Sequence, residues 1–296
     1  MDGGRLGVAV SGGPDSLALL LLAQAAMPGR IEAATVDHGL RPESAAEAEM
    51  VADVCRELGV KHAILPVTLG RGNRQGQARV ARYAALNDWL GERSLDVLAT
   101  AHHADDQAET LLMRLNRGSG LPGLAGIRSA TRLPDGTHFV VRPLLEWRRS
   151  ELAAVVQGAG LQAVDDPSNR DPAYDRARIR QAMGQADWLD PAALATSARL
   201  LGEAEGVIEM VLAHELRVAV SREDGGVRYR PQGPRLIRHL AVERILSDFA
   251  KQARGSQIAA LVTALEGGGK GNLAGILARV DGDCWIFSEE PARRSG

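Results

Sequence analysis

The sequence predicts an α/β chain: a doubly wound, mostly parallel sheet followed by a smaller helical and α+β domain. Short apolar runs alternate with helical stretches of a dozen or more residues through the first half, the signature of βαβ units. A glycine-rich turn directly follows the first apolar run, and such sheets bind ligands beyond the carboxyl ends of their strands.

Residues 6–10 (Leu-Gly-Val-Ala-Val) read as a strand buried on both faces. A helix follows over about 15–27. The alternation continues as strand 31–36, helix 43–58, strand 61–67, helix 77–93, strand 96–100 and helix 105–117. Residues 118–126 are too rich in glycine for a regular element and read as a loop. Residues 139–143 form the last short strand of this part, and 148–159 another helix. The stretch 165–172 is turn chemistry. Helical pattern resumes near 173 and runs to about 220, with a break at Asp190-Pro191. Beyond it lie helices at about 235–251 and 256–266 and strands at 227–230, 273–280 and 283–287. These signals place a catalytic domain at 1–186 and a second domain at 187–296.

A length of 296 residues suits one large domain or two modest ones. Aromatic residues make up only 3%, so the core must be built from Ala, Leu and Val. A net charge of -2 excludes a uniformly basic protein, although the window from Arg217 to Arg279 holds eleven basic and five acidic residues, a net +6. That window is compatible with a phosphate-rich polymer. Two cysteines, Cys55 and Cys284, exclude a disulfide framework or a four-thiolate metal site and fit a reducing cytoplasm. No segment reaches the ~20 apolar residues of a membrane helix. Polar Ser11 and Asp15 just before the apolar run 17–23 argue against a secretory signal. A cytoplasmic protein without membrane contact is expected; a homodimer is one assembly the sequence allows.

Three clusters carry chemistry. The first is Ser11-Gly12-Gly13-Pro14-Asp15-Ser16, between strand and helix. Its glycines let the backbone approach an anion, and the helix-start N–H groups with the Ser11 and Ser16 hydroxyls can hold phosphate. It is neither a Walker loop nor a Rossmann fingerprint. It resembles the pyrophosphate loop of the ATP-pyrophosphatase (PP-loop) superfamily, whose members split ATP into AMP and pyrophosphate. A carboxylate beside phosphates repels them unless a cation intervenes, so Asp15 implies Mg2+ bridging it to ATP.

The second cluster, Val36-Asp37-His38-Gly39-Leu40-Arg41, ends the second strand, where backbone groups can hold adenine and Arg41 can reach phosphate. The third is His102-His103-Ala104-Asp105-Asp106-Gln107-Ala108-Glu109-Thr110. Asp105 is a candidate N-cap, and Asp106 and Glu109 fall on one helical face as an acidic pocket for an ammonium group. Metal binding competes, because this run offers N and O ligands.

These three clusters, together with residues 78–83, Asp166-Pro167-Ser168-Asn169 and Arg176–Arg180, occur in the order found in tRNA(Ile)-lysidine synthetases, and over about 5–183 the chain resembles that family. The resemblance implies a PP-loop domain followed by C-terminal parts that grip tRNA. It implies ATP-dependent adenylation of C2 of the wobble cytidine of tRNA-Ile with a CAU anticodon, then displacement of AMP by the side-chain amine of free lysine. The lysine pocket maps onto Asp106 and Glu109 with an arginine, Arg176 or Arg180, from a motif that usually reads Arg-Asn-x-Ile/Leu-Arg; Ala177 departs from it. Arg79, Arg82 and Arg117 are the expected tRNA contacts. The competing readings are another PP-loop enzyme such as a tRNA thiolase, a metal-dependent phosphohydrolase built on Asp37, His38, His102, His103, Asp105 and Asp106, and a tRNA-binding protein without catalysis.

Overall fold

The computed structural model describes residues 4–39, 43–67, 74–133, 136–164, 175–223 and 225–290. The chain packs as two units, Met1–Gly202 and Glu203–Gly296.

The first unit contains β1 (Leu6–Ala9), α1 (Pro14–Ala26), β2 (Ile31–Asp37), α2 (Glu43–Glu57), β3 (Lys61–Pro66), α3 (Arg74–Arg93), β4 (Val97–Ala99), α4 (Ala104–Asn116), α5 (Leu121–Leu124), β5 (Ala130–Arg132), β6 (Phe139–Val141), α6 (Arg149–Gly158), α7 (Asp175–Gln185) and the start of α8 (Pro191–Ala219). Its sheet runs β3-β2-β1-β4-β6-β5. All neighbours are parallel except β5, which pairs antiparallel with β6 at one edge. The order reverses between β1 and β4, so the tips of those strands flank the switch point of the sheet.

Alternation along the strands sends Val8, Ala33 and Ala99 to a core with α1, α2 and α6. It sends Ala34, Leu98 and Val140 to a core built on Tyr83, Leu86, Trp89 and Leu90 of α3. Few aromatics are needed because the helices press close. A Cβ on Gly7 would lie 2.6 Å from Leu90 and 2.8 Å from Trp89, so only glycine lets α3 sit there.

The expected elements form with shifted ends, and four corrections arise. The 118–126 stretch is not wholly irregular: Pro122 at the second position starts the one-turn α5. The edge strand β5 is too short and too exposed to show an alternation. The expected strand 273–280 is a hairpin, β9 (Lys270–Leu273) and β10 (Ile276–Asp281). Its loop residues Ala274 and Gly275 both have positive φ, 54° and 82°, as a type I′ turn requires. Alanine is rare there, which hides the turn. Lastly, β7 (Val220–Glu223) continues directly from α8 and hides in its helical pattern. The compact units divide inside α8, between Gly202 and Glu203, and the first turns of α8 pack beside the segment after α5. A Cβ on Gly126 would touch Ala198 at 3.1 Å, and Gly202 faces Ala125 and Arg128.

In the second unit, β7, β8 (Gly226–Tyr229), β9, β10 and β11 (Cys284–Glu289) form an antiparallel sheet of order β7-β8-β11-β10-β9. It packs with α9 (Arg235–Asp248), α10 (Gly255–Glu266) and the end of α8 around Leu212, Tyr229, Ile245 and Phe287. Buried Glu215 accepts from Tyr229 Oη at 2.9 Å and from the Gln232 and Gly233 N–H groups at 2.8 and 2.9 Å. Burial works against its charge, yet these donors hold its carboxyl below the ordinary range. The +6 window does not make this unit basic: it carries 13 basic and 13 acidic residues in all. Asp281, Asp283 and Glu209, outside the window, pair with Arg228, Arg230 and Arg244. Among the described residues no helix is long and apolar enough to cross a membrane.

Away from the strand tips discussed below, Glu32 enters β2 buried and receives Arg5 at 2.5 Å and Arg93 at 2.7 and 3.1 Å. The Arg93 hydrogen bond leads the effects that hold its carboxyl below 4.5. Glu32→Gln is expected to lower stability by about 1–2 kcal/mol in urea unfolding, since the arginine ends are partly solvated. A group with a depressed folded pKa stabilises above its unfolded value, and that contribution fades as pH falls through the folded value. The wild-type advantage over Glu32→Gln should therefore hold at neutral pH and shrink below about pH 4.5.

Candidate active site

The loop after β1 is shaped by its own hydroxyls. Ser16 Oγ accepts from Ser11 N at 3.1 Å and donates to Gly13 O at 2.9 Å. Gly12 has φ +85°, and Val164 N–H donates to its carbonyl at 2.9 Å, pinning the loop. Gly13 caps α1 with no side-chain hydrogen bond, and Pro14 opens the helix. The first amides of α1 thus keep no capping partner, which is how a helix start receives an anion.

Two other strand tips flank this loop. After β2, Asp37 Oδ1 is taken up locally by Gly39 N at 2.9 Å and Ser44 Oγ at 2.7 Å, so Asp37 shapes its own turn. Val36 packs into the α3 core, with its backbone in the β2–β3 ladder. The pKa of the His38 ring is lowered by burial and by the charge of Arg82, against Asp37. Arg41 and Asp166-Pro167-Ser168-Asn169 lie outside the described residues.

After β4, fully buried His103 caps α4 in a reciprocal box with Asp106: its N–H donates to Asp106 Oδ2 at 3.1 Å, and Asp106 N–H donates to His103 Nδ1 at 3.4 Å. His103, not Asp105, is therefore the N-cap. The Asp105 carboxylate instead accepts from Arg149 N at 2.9 Å and from Arg148. His103 Nε2 lies 3.4 Å from Asp15 Oδ2 and 3.5 Å from Asp106 Oδ2. One imidazole thus joins the loop after β1 to the carboxylates of α4.

Asp106 and Glu109 share one face of α4, as their spacing predicts, and α7 brings two arginines to them. Arg176 donates to Glu109 Oε2 at 2.7 Å and to Asp106 Oδ1 at 2.8 Å. Arg180 donates to both Glu109 oxygens at 2.6 and 3.3 Å. Both arginines of the motif take part. Burial opposes the Asp106 charge, but His103 and Arg176 keep its carboxyl below the ordinary range. Arg117 ends α4 and pairs with Asp175 at 2.8 Å, at the surface.

On the other flank the charges are not balanced. His102 is pushed down to about 4 chiefly by burial; the charge of Asp106 acts against that shift, and the positive charges of Arg142, Arg176 and Arg79 add to it. Arg142, just past β6, is buried and was not singled out from the sequence. Five buried side-chain polar atoms have no hydrogen-bond partner among the described residues. Four of them sit at these strand tips: Asp15 Oδ1, both His38 ring nitrogens and Arg142 Nε. Buried polar atoms are paired almost everywhere in folded proteins, so this concentration marks a surface built to meet a ligand. Among the described residues no group of three or more His, Cys, Asp or Glu could hold a metal, so the phosphohydrolase cluster does not assemble. Cys55 and Cys284 are both buried, and burial pushes the Cys55 thiol up to about 11, so Cys55 does not suit thiolate chemistry.

A doubly wound sheet with Ser-Gly-Gly-x-Asp-Ser at its switch point defines the PP-loop class of ATP-utilising enzymes, and residues 1–186 match the family model described as a PP-loop domain. The tRNA(Ile)-lysidine synthase of Novosphingobium aromaticivorans is 45% identical over 297 residues, covering 99% of this chain and 91% of that protein. That of Zymomonas mobilis is 42% identical, covering 98% and 90%. The U34-tRNA thiolase NcsA of Methanococcus maripaludis, solved with its 4Fe–4S cluster, superposes with a TM-score of 0.56 at 20% identity over 68% of this chain and 72% of that one, a likeness of fold alone. The chain belongs to the tRNA(Ile)-lysidine synthase family.

Proposed function

We propose that this protein forms lysidine at the wobble cytidine of tRNA-Ile with a CAU anticodon, in the cytoplasm. The C2 oxygen attacks the α-phosphorus of ATP and pyrophosphate leaves. The neutral side-chain amine of lysine then attacks C2, a C–N bond forms, and the C–O bond breaks to release AMP.

The observation that carries this reading is the shared imidazole. Asp15, on the phosphate-type loop, and Asp106, in the acid–arginine ladder, both lie within 3.5 Å of His103 Nε2. An ATP held by the loop and an amino acid held by the ladder are then neighbours, which is the proximity a two-step transfer needs. The ladder suits a zwitterion: a lysine ammonium exchanges for a guanidinium at Asp106 and Glu109, and the freed Arg176 or Arg180 takes the carboxylate. Ser11, Ser16 and the amides that open α1 hold phosphate. Asp15 fits a Mg2+ ion, because its Oδ1 is buried with no partner among the described residues and one carboxylate plus substrate phosphates is the usual magnesium donor set. Bound there, Mg2+ would neutralise charge on the phosphates. Arg79, Arg82 and Arg117 face tRNA in this reading. In the second unit Lys270 and Arg279 stand opposite each other on β9 and β10, a cationic pair for the polymer backbone.

The test is incubation with ATP, radiolabelled lysine and an unmodified tRNA-Ile(CAU) transcript. Label in RNA, with one AMP and one pyrophosphate released per lysine, is the expected result. Pyrophosphate release without labelled RNA would transfer the reading to another PP-loop reaction.

A further inference from the structure

The arginines at the strand tips fall into two sets. The guanidinium of Arg148 meets Asp105, and those of Arg149, Arg176 and Arg180 meet Glu109. Arg79, Arg82 and Arg142 meet no carboxylate among the described residues.

These three are nevertheless held together. The Arg79 guanidinium lies 5.0 Å above the Tyr83 ring. Arg142 lies close enough to Tyr83 for the two side chains to interact electrostatically. Arg142 also donates to Arg128 O at 2.7 Å and to Thr131 Oγ1 at 3.1 Å, which fixes the fork in place. Only 8% of Arg142 is exposed, and its Nε has no partner among the described residues. Arg82 lies close enough for its charge to act on both Arg79 and His38. Three like charges around one tyrosine repel one another, and burying one of them without a counterion is costly. Such an arrangement is stable when an anion completes it.

We propose that Arg79, Arg82 and Arg142 form an anion site separate from the loop after β1, that it takes a backbone phosphate of the tRNA near the reacting base, and that Arg142 is its buried positioning residue. The identity of the anion rests on the functional reading above. In that reaction the ATP phosphates have the loop, and both charges of lysine have the ladder. The polynucleotide backbone is the anion left to place.

The test is the salt dependence of binding of an unmodified tRNA-Ile(CAU) transcript, measured without ATP, for wild type, Arg79→Gln, Arg142→Lys and Tyr83→Phe. Each lost phosphate contact should reduce the log–log slope by about 0.7–0.9. Arg79→Gln changes an exposed side chain, and should flatten the slope by that amount and weaken binding by about threefold to tenfold. Arg142→Lys keeps the charge but lacks the fork that reaches Arg128 O and Thr131 Oγ1 together, so it should weaken binding even where the slope stays near wild type. The KM for ATP should stay within about twofold in each. An unchanged affinity and slope in folded Arg79→Gln and Tyr83→Phe overturns the site, even if Arg142→Lys does not fold. A raised ATP KM with an unchanged tRNA slope assigns these arginines to the nucleotide and equally overturns it. The binding arm of this test needs no turnover. A wild type that binds tRNA with these slopes but incorporates no lysine would sink the functional reading and leave the anion site standing.

Discussion

Asp15→Asn is expected to cut AMP formation about a hundredfold or more and leave the fold intact. Asp15 Oδ2 rests against His103, which an asparagine can still meet, while Oδ1 is buried with no partner among the described residues. Nothing in the local packing needs the charge. Burying part of a carboxylate so close to a phosphate-type loop is unfavourable unless a cation joins them. The substitution therefore removes mainly the interaction with that cation. Loss of one charge-stabilising contact costs ~2.7–4 kcal/mol of barrier, or about two to three decades in rate. Melting temperature should barely move, and tRNA binding without ATP should be unchanged. Near-normal AMP and pyrophosphate release by Asp15→Asn would remove the role assigned to this carboxylate.

The loop at 11–16 is legible in the sequence because one short string sets both its conformation and its chemistry. Gly12 supplies the positive φ, Ser16 ties the turn, and Pro14 starts the helix. The parallel half of the fold is legible for a similar reason, since strands buried on both faces read as unbroken apolar runs. The other half of the site is built from distant parts. The spacing of Asp106 and Glu109 puts two carboxylates on one face, but nothing local reveals that Arg176 and Arg180, some 70 residues on, already fill them. His103 reads as one of two adjacent histidines, and only the fold shows that it alone is fully buried between two carboxylates. Arg142 follows the run Phe-Val-Val, and its place just past a parallel strand is the one signal that could have marked it. Charge counted along a window misleads where the pairing acids lie outside it, as Asp281 and Asp283 do for Arg228 and Arg230.

Glu109→Gln should raise the lysine KM by roughly tenfold to a hundredfold and also lower stability, the second effect following from the structure. Only 1% of Glu109 is exposed, and its two oxygens accept three hydrogen bonds, from Arg176 at 2.7 Å and from Arg180 at 2.6 and 3.3 Å. A glutamine keeps one acceptor and turns the other position into a donor facing a guanidinium. Removing one partner of a buried pair costs ~3–5 kcal/mol, but the Arg176 and Arg180 side chains are 42% and 31% exposed, so water recovers part of it and about 1–3 kcal/mol is the expected loss. Asp106→Asn should raise the lysine KM as well, while disturbing the α4 cap less, since the oxygen that accepts from His103 N–H can be kept. If the carboxylates bind lysine, both variants shift lysine KM and leave ATP KM within about twofold. If they only hold α7 in place, the two variants should lose stability and lose turnover at every lysine concentration, with lysine KM unchanged. Varying lysine and ATP separately, alongside urea unfolding of each variant, separates these outcomes. A lysine KM within about twofold of wild type in both would leave the ladder as a clamp for α7 and move the amino acid elsewhere.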